Sequence, residues 1–132
     1  FEIKKINNTL TIINDAYNAN PASMKMSLDT FNELWGRRKD IKKILVLGDM
    51  KELGSVASQE HKKIADIVNS MDVDYIIYFG EYSKYFKGVT SCSSIEEVVE
   101  SLKKNIKKEE NTVVLLKGSN SQKLYTIPEL LN

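Results

Sequence analysis

Apolar positions along the chain fall into short solid runs separated by amphipathic stretches, and the two patterns alternate. Leu10-Thr11-Ile12-Ile13-Asn14 is a run of strand formers that empties into Asp15-Ala16-Tyr17-Asn18-Ala19-Asn20-Pro21, rich in turn and cap residues. Asn20 followed by Pro21 suits an N-cap and first helical position. Met24, Leu28, Phe31 and Trp35 then recur at helical spacing, which predicts a helix to about Gly36. Ile44-Leu45-Val46-Leu47 is apolar throughout and closes on Gly48-Asp49-Met50, as a strand covered on both faces would. His61, Ile64, Ala65, Val68 and Met71 line one face of a second helix.

The second half repeats the scheme. Tyr75-Ile76-Ile77-Tyr78-Phe79 is a strand ending at Gly80, and Val89 marks a short strand beyond it. Ser94 and Glu97 have capping-box spacing ahead of Ile95, Val98, Val99, Leu102 and Ile106, a third apolar stripe. Thr112-Val113-Val114-Leu115-Leu116 reads as a buried strand with Lys117-Gly118-Ser119-Asn120 as its exit loop. Residues 124–131 read as a last helical segment interrupted by Pro128. Strand and helix alternate throughout, so the expected fold is α/β, an open, mostly parallel sheet in three layers, in a single domain over residues 1–132.

Composition narrows the partners. Nineteen basic and eighteen acidic residues leave a formal net charge of +1, so no overall field favours nucleic acid. Cys92 stands alone, which fits a reducing compartment and reads as structural rather than nucleophilic. No apolar run approaches membrane-spanning length, so no membrane is expected. The start, Phe1-Glu2-Ile3-Lys4-Lys5-Ile6, lacks a secretory leader and a methionine and reads as the middle of a strand, so the chain is expected to be a piece of a longer protein.

Every strong strand ends in a polar or glycine-bearing loop, at residues 15–20, 48–54, 80–82 and 117–120. In an open parallel sheet such exits share the carboxyl edge, where ligands bind. Each loop also has an ordinary structural reading, as turns, caps and glycine exits. Neither G-x-x-x-x-G-K-[ST] nor G-x-G-x-x-G occurs, so no triphosphate cradle is expected here. One cysteine and one histidine do not build a zinc sphere, and His61 reads as a core or boundary residue. Asp49 and Glu52 suit a cation or solvated loop ends equally, and no metal site is assigned.

The wording of three of these loops is specific. Asp15-Ala16-Tyr17-Asn18-Ala19-Asn20-Pro21 resembles the Asp-Ser-Tyr-Asn-Ala-Asn-Pro segment of MurF-type Mur ligases. Gly48-Asp49-Met50-Lys51-Glu52-Leu53-Gly54 resembles their Gly-Asp-Met-x-Glu-Leu-Gly segment, and Leu116-Lys117-Gly118-Ser119 their Val-Lys-Gly-Ser segment. The three follow the family's order and span most of the chain. The resemblance implies the C-terminal, Rossmann-like domain of a cytoplasmic bacterial ligase that joins D-alanyl-D-alanine to UDP-N-acetylmuramoyl-tripeptide through an acyl phosphate.

It further implies ATP and magnesium, bound mainly by a central domain absent from this chain, and an absent N-terminal domain for the UDP end. Both domains would be partners of this one. No catalytic residue is expected within the chain, and the fragment alone is not expected to be active. Carried over by position, Asp15 and Asn18 are nucleotide-binding candidates, Asp15 as a carboxylate for the ribose hydroxyls. Tyr17, Asn20, Asp49, Lys117 and Ser119 are candidates for the substrate. Lys117 and Ser119 would meet the dipeptide carboxylate, aided by a following helix N-terminus, and Asn20 also suits a plain helix cap. Family members carry a Gly-Arg pair just before this domain, ahead of where the chain begins. Another Mur ligase, a folylpolyglutamate synthetase relative and a non-catalytic small-ligand module are the competing readings.

Overall fold

In the computed structural model, which describes residues 1–131, the apolar runs become strands, and two largely polar strands flank them at the sheet edges. These are β1 (Glu2–Lys5), β2 (Leu10–Asn14), β3 (Lys42–Gly48), β4 (Tyr75–Phe79), β5 (Val89–Cys92) and β6 (Thr112–Lys117). The helices are α1 (Pro21–Trp35), α2 (Ala57–Asn69), α3 (Ile95–Asn105) and the one-turn α4 (Ile127–Leu130). The strands form one sheet in the order β1-β2-β6-β3-β4-β5, parallel except for β1, which runs antiparallel along β2. The sheet matches the expected open, mostly parallel architecture.

Handedness explains the layers. The connections β2-α1-β3 and β3-α2-β4 travel toward the β5 edge, whereas β5-α3-β6 travels back. Right-handed crossovers therefore place α3 on the opposite face from α1 and α2. Ile13, Leu45, Leu47, Val113 and Leu115 pack under α1 and α2, while Ile12, Ile44, Val46, Val114 and Leu116 pack under α3 and α4. β3 and β6 are buried on both faces, which is why their sequences are continuously apolar.

Local chemistry sets the helix ends. Asn20 caps α1 by accepting the Ser23 N–H at 2.9 Å, and the Ser23 hydroxyl accepts the Asn20 N–H at 3.0 Å, closing a capping box. The Ser94 hydroxyl caps α3 from the Glu97 N–H, but the Glu97 carboxylate accepts from Ser93 rather than Ser94. Pro128 does not interrupt the last helix. It lies in the first turn of α4, where a missing N–H costs nothing, and the segment ahead is 3₁₀ over Leu124–Thr126. Lys117 also departs from expectation, because it ends β6 in register with Leu47 instead of opening the exit loop.

Phe31 is fully buried beneath α1 and Met26, on the same helix, is 69% exposed. Phe31→Ala is expected to lower unfolding free energy by about 3–5 kcal/mol through lost burial and a residual cavity. Met26→Ala is expected to change it by no more than about 0.5 kcal/mol. Urea unfolding of the two variants checks both.

Candidate functional site

Parallel strands β2, β6, β3 and β4 deliver residues 15–20, 117–119, 48–54 and 80–82 to one carboxyl edge. Lys117, at the end of β6, is 3% exposed, and its side chain lies on the α1 side beneath the loop that leaves β2. Its Nζ donates to the Asn18 carbonyl at 2.6 Å and lies 3.4 Å from Asp15 Oδ2. The same Oδ2 accepts the Ser27 hydroxyl from α1, and Oδ1 accepts the terminal ammonium of Phe1 at 2.9 Å. A cleft of about 340 Å³ opens beside the carboxylate, lined by Phe1, Ser23, Met26 and Thr30.

The Asp15 charge is thereby stabilised. Burial works to raise its carboxyl, but the Ser27 hydroxyl, the terminal ammonium and Lys117 together outweigh burial and hold it below its ordinary value of 3.8. Tyr17 is 53% exposed and stacks on Tyr125 with ring centroids 5.1 Å apart. The exposed Asn18 accepts the Ala19 N–H on its own Oδ1, and the Asn20 side chain caps α1.

Asp49 is 3% exposed and fully engaged. Its Oδ1 accepts the Tyr78 hydroxyl at 2.6 Å, both oxygens lie 3.1 Å from the Glu81 N–H, and Lys51 Nζ stands 3.7 Å from Oδ2. Burial first, and then the Asp49 bond, push the Tyr78 phenol far upward. Gly80 has φ 147°, and any side chain there would meet the Asp49 carboxylate. His61 accepts the Met50 N–H on Nε2 at 2.8 Å, pairs Nδ1 with the Ala57 carbonyl at 2.6 Å and stacks on Tyr82. It is buried, as its place on the apolar face of α2 indicated. Glu52 is exposed at φ 61° and rims a cleft of about 230 Å³ with Asp49, Glu81 and Tyr82.

The Ser119 hydroxyl lies 3.2 Å from the Ser121 hydroxyl, and the Ser119 N–H donates to the Asp49 carbonyl at 3.1 Å. No α-helix follows directly to supply an N-terminus. The segment Asn120–Gln122 is a single 3₁₀ turn and α4 begins only at Ile127, so the aid expected for Lys117 and Ser119 is missing. All seven expected residues thus share one edge, but the Lys117 ammonium and the Asp49 carboxylate face internal partners. Ser27, Tyr78 and Gln122 are additional members that carry no local sequence signal, because each meets its partner only through the fold.

The profile of the Mur ligase glutamate ligase domain matches residues 1–120. The chain belongs to the Mur ligase family. Among curated Mur ligase relatives, the UDP-N-acetylmuramoyl-tripeptide–D-alanyl-D-alanine ligase of Bacillus subtilis (strain 168) is 32% identical over 96% of this chain and 29% of its own length. That of Buchnera aphidicola (subsp. Baizongia pistaciae, strain Bp) is 33% identical over 98% and 28%. The MurF ligase of Thermotoga maritima, solved in complex with ADP, superposes with a TM-score of 0.79 at 24% identity, over 99% of this chain and 30% of that one. MurF from Acinetobacter baumannii superposes at 0.83 with 23% identity, over 98% and 29%. The chain spans less than a third of the length of these relatives. Among the described residues no helix is long and apolar enough to cross a membrane.

For this Mur ligase domain the Asp15 shift fixes a pH dependence. A carboxyl depressed in the folded state contributes stability above its unfolded value, and that contribution is lost as pH falls through the folded one. Asp15→Asn is expected to lower Tm at neutral pH, and the gap is expected to close as pH falls below 3.8 and through the lowered value. Melting curves across that window check it, and a gap that persists in strong acid assigns the loss to packing instead.

Proposed function

We propose that the chain is the C-terminal domain of a MurF-type ligase acting on peptidoglycan precursors in the bacterial cytoplasm. In this reading ATP phosphorylates the terminal carboxylate of UDP-N-acetylmuramoyl-tripeptide, the amine of D-alanyl-D-alanine attacks the acyl phosphate, and ADP and phosphate leave. The observation that carries the proposal is the convergence of three motif loops, drawn from opposite ends of the chain, on one edge where Lys117 reaches from the last to the first.

Asp15 is the nucleotide-facing group. Its Oδ2 is held by Ser27 and Lys117, which leaves Oδ1 as the oxygen offered to ribose hydroxyls. Lys117 serves the loop rather than the dipeptide carboxylate, because its ammonium is already enclosed by Asn18 and Asp15. Asn18 and Asn20 shape the nucleotide loop, and Tyr17 presents an exposed ring beside it. Ser119, Asp49 and the acidic cleft rimmed by Glu52 and Glu81 form the acceptor side.

Magnesium does not fit this edge. The Asp49 carboxylate is engaged by Tyr78 and the Glu81 N–H and Asp15 Oδ2 by Ser27, and among the described residues no three His, Cys, Asp or Glu side chains cluster as a metal site. The metal and the ATP phosphates belong to the central domain in this reading. Orientation of the phosphates and exclusion of water need all three domains together, so this chain alone does not turn over.

The test uses the whole product of the gene that encodes this chain. ADP release should require both UDP-N-acetylmuramoyl-tripeptide and D-alanyl-D-alanine. Asp15→Ala should raise KM for ATP by roughly tenfold or more, as expected for lost hydrogen bonds to a charged group, with a smaller effect on the dipeptide KM. ADP release indifferent to the dipeptide contradicts the proposal.

A further inference from the structure

Beyond Gly48, Phe79 and Lys117 the parallel ladder stops, and the exits of β3, β4 and β6 need new partners for their peptide groups. One side chain supplies two of them. Gln122, at the end of the 3₁₀ turn Asn120–Gln122, accepts the Asp49 N–H on Oε1 at 2.8 Å and donates through Nε2 to the Phe79 carbonyl at 2.7 Å. The Ser119 hydroxyl stands 3.4 Å from the same Oε1. A side chain from beyond β6 therefore joins β3 to β4, and the Ser119 N–H to Asp49 carbonyl bond joins β6 to β3.

The glycines of two motifs make room for it. A Cβ on Gly48 would overlap the Gln122 carboxamide. One on Gly118 would lie 3.1 Å from Gln122 Oε1 and 2.8 Å from Leu124 Cδ1. Both motif glycines are thus small where the carboxamide passes between the strand exits. A carboxamide suits the place because it accepts and donates at once; a carboxylate only accepts.

We propose that Gln122 is a positioning residue for the amine-bearing acceptor. It fixes the β3, β4 and β6 exits relative to one another and so sets where Asp49, Glu81 and Ser119 stand. The Asp15 loop is held separately by Lys117 and Ser27, so nucleotide binding does not depend on Gln122. The inference rests on the reading of this edge as part of a dipeptide-adding ligase.

Steady-state kinetics of the whole gene product with Gln122→Met and Gln122→Glu tests it. Met keeps length and apolar packing but makes neither hydrogen bond. Glu keeps the acceptor for Asp49 and turns an oxygen toward the Phe79 carbonyl. Both are expected to raise KM for D-alanyl-D-alanine by roughly tenfold or more, Glu at least as much as Met, with KM for ATP within about twofold of wild type. An unchanged dipeptide KM, equal rises for both substrates, or a fall in kcat alone overturns the proposal. Wild-type enzyme that ignores the dipeptide refutes the ligase reading instead. Should either variant fold poorly, Gly48→Ala decides. It is expected to lower the thermal midpoint in the wild-type background and clearly less in a Gln122→Ala background, and equal loss in both backgrounds overturns the clamp.

Discussion

The Lys117 ammonium lies at the end of a strand that is buried on both faces, where an unpaired charge costs on the order of several kcal/mol. The Asn18 carbonyl and the Asp15 carboxylate remove that cost, and in doing so they fix a loop that local sequence alone would leave free. β2 and β6 are neighbours in the sheet although residues 18 and 117 are far apart in the chain, so the pairing exists only once the sheet has formed. Stability and site geometry are therefore the same interaction. In the proposed reading, the Asp15 charge that makes Lys117 tolerable is also the one offered to the nucleotide.

The carboxyl edge divides into two separately held parts. On the β2 side, Lys117 and Ser27 hold Asp15 and the start of α1. On the β3 and β4 side, Tyr78 and the Glu81 N–H hold Asp49, His61 holds Met50, and Gln122 ties the two strand exits together. The parts meet through β6, whose last residue serves the first and whose exit loop serves the second. This division suits a domain that contacts a nucleotide with one half and an acyl acceptor with the other. A surface groove of about 610 Å³ between α3 and α4 lies elsewhere, lined by Ile95, Val99 and Leu130 together with the charged Glu96, Glu100, Lys103 and Lys104.

Element type was legible because burial leaves a strong imprint on sequence. Leu10–Asn14 and Tyr75–Phe79 occur as read, α1 starts at Pro21 behind its Asn20 cap, and Val89 does begin a strand, one that runs to Cys92 along β4. Terminal chemistry was less legible. Lys117 reads as a loop residue by polarity, yet parallel pairing with β3 carries the ladder one residue further and turns its ammonium inward. Pro128 reads as a breaker because no local signal shows that the helix begins beside it. The strand exits and the motif wording placed Asp15, Asp49 and Ser119 on one edge but said nothing of their partners. Ser27, Tyr78 and Gln122 are ordinary residues in their own segments and acquire meaning only from contacts 12, 29 and 73 positions away.

Hydrogen–deuterium exchange of the whole gene product, with ADP and then with D-alanyl-D-alanine added, tests the two-part edge most directly. The account predicts that ADP slows exchange at residues 15–20 and that the dipeptide slows it at 48–54, 80–82 and 117–122. Bound ligand that leaves these loops unchanged, or protects only the α3–α4 groove or the opposite, amino-terminal edge of the sheet, contradicts it.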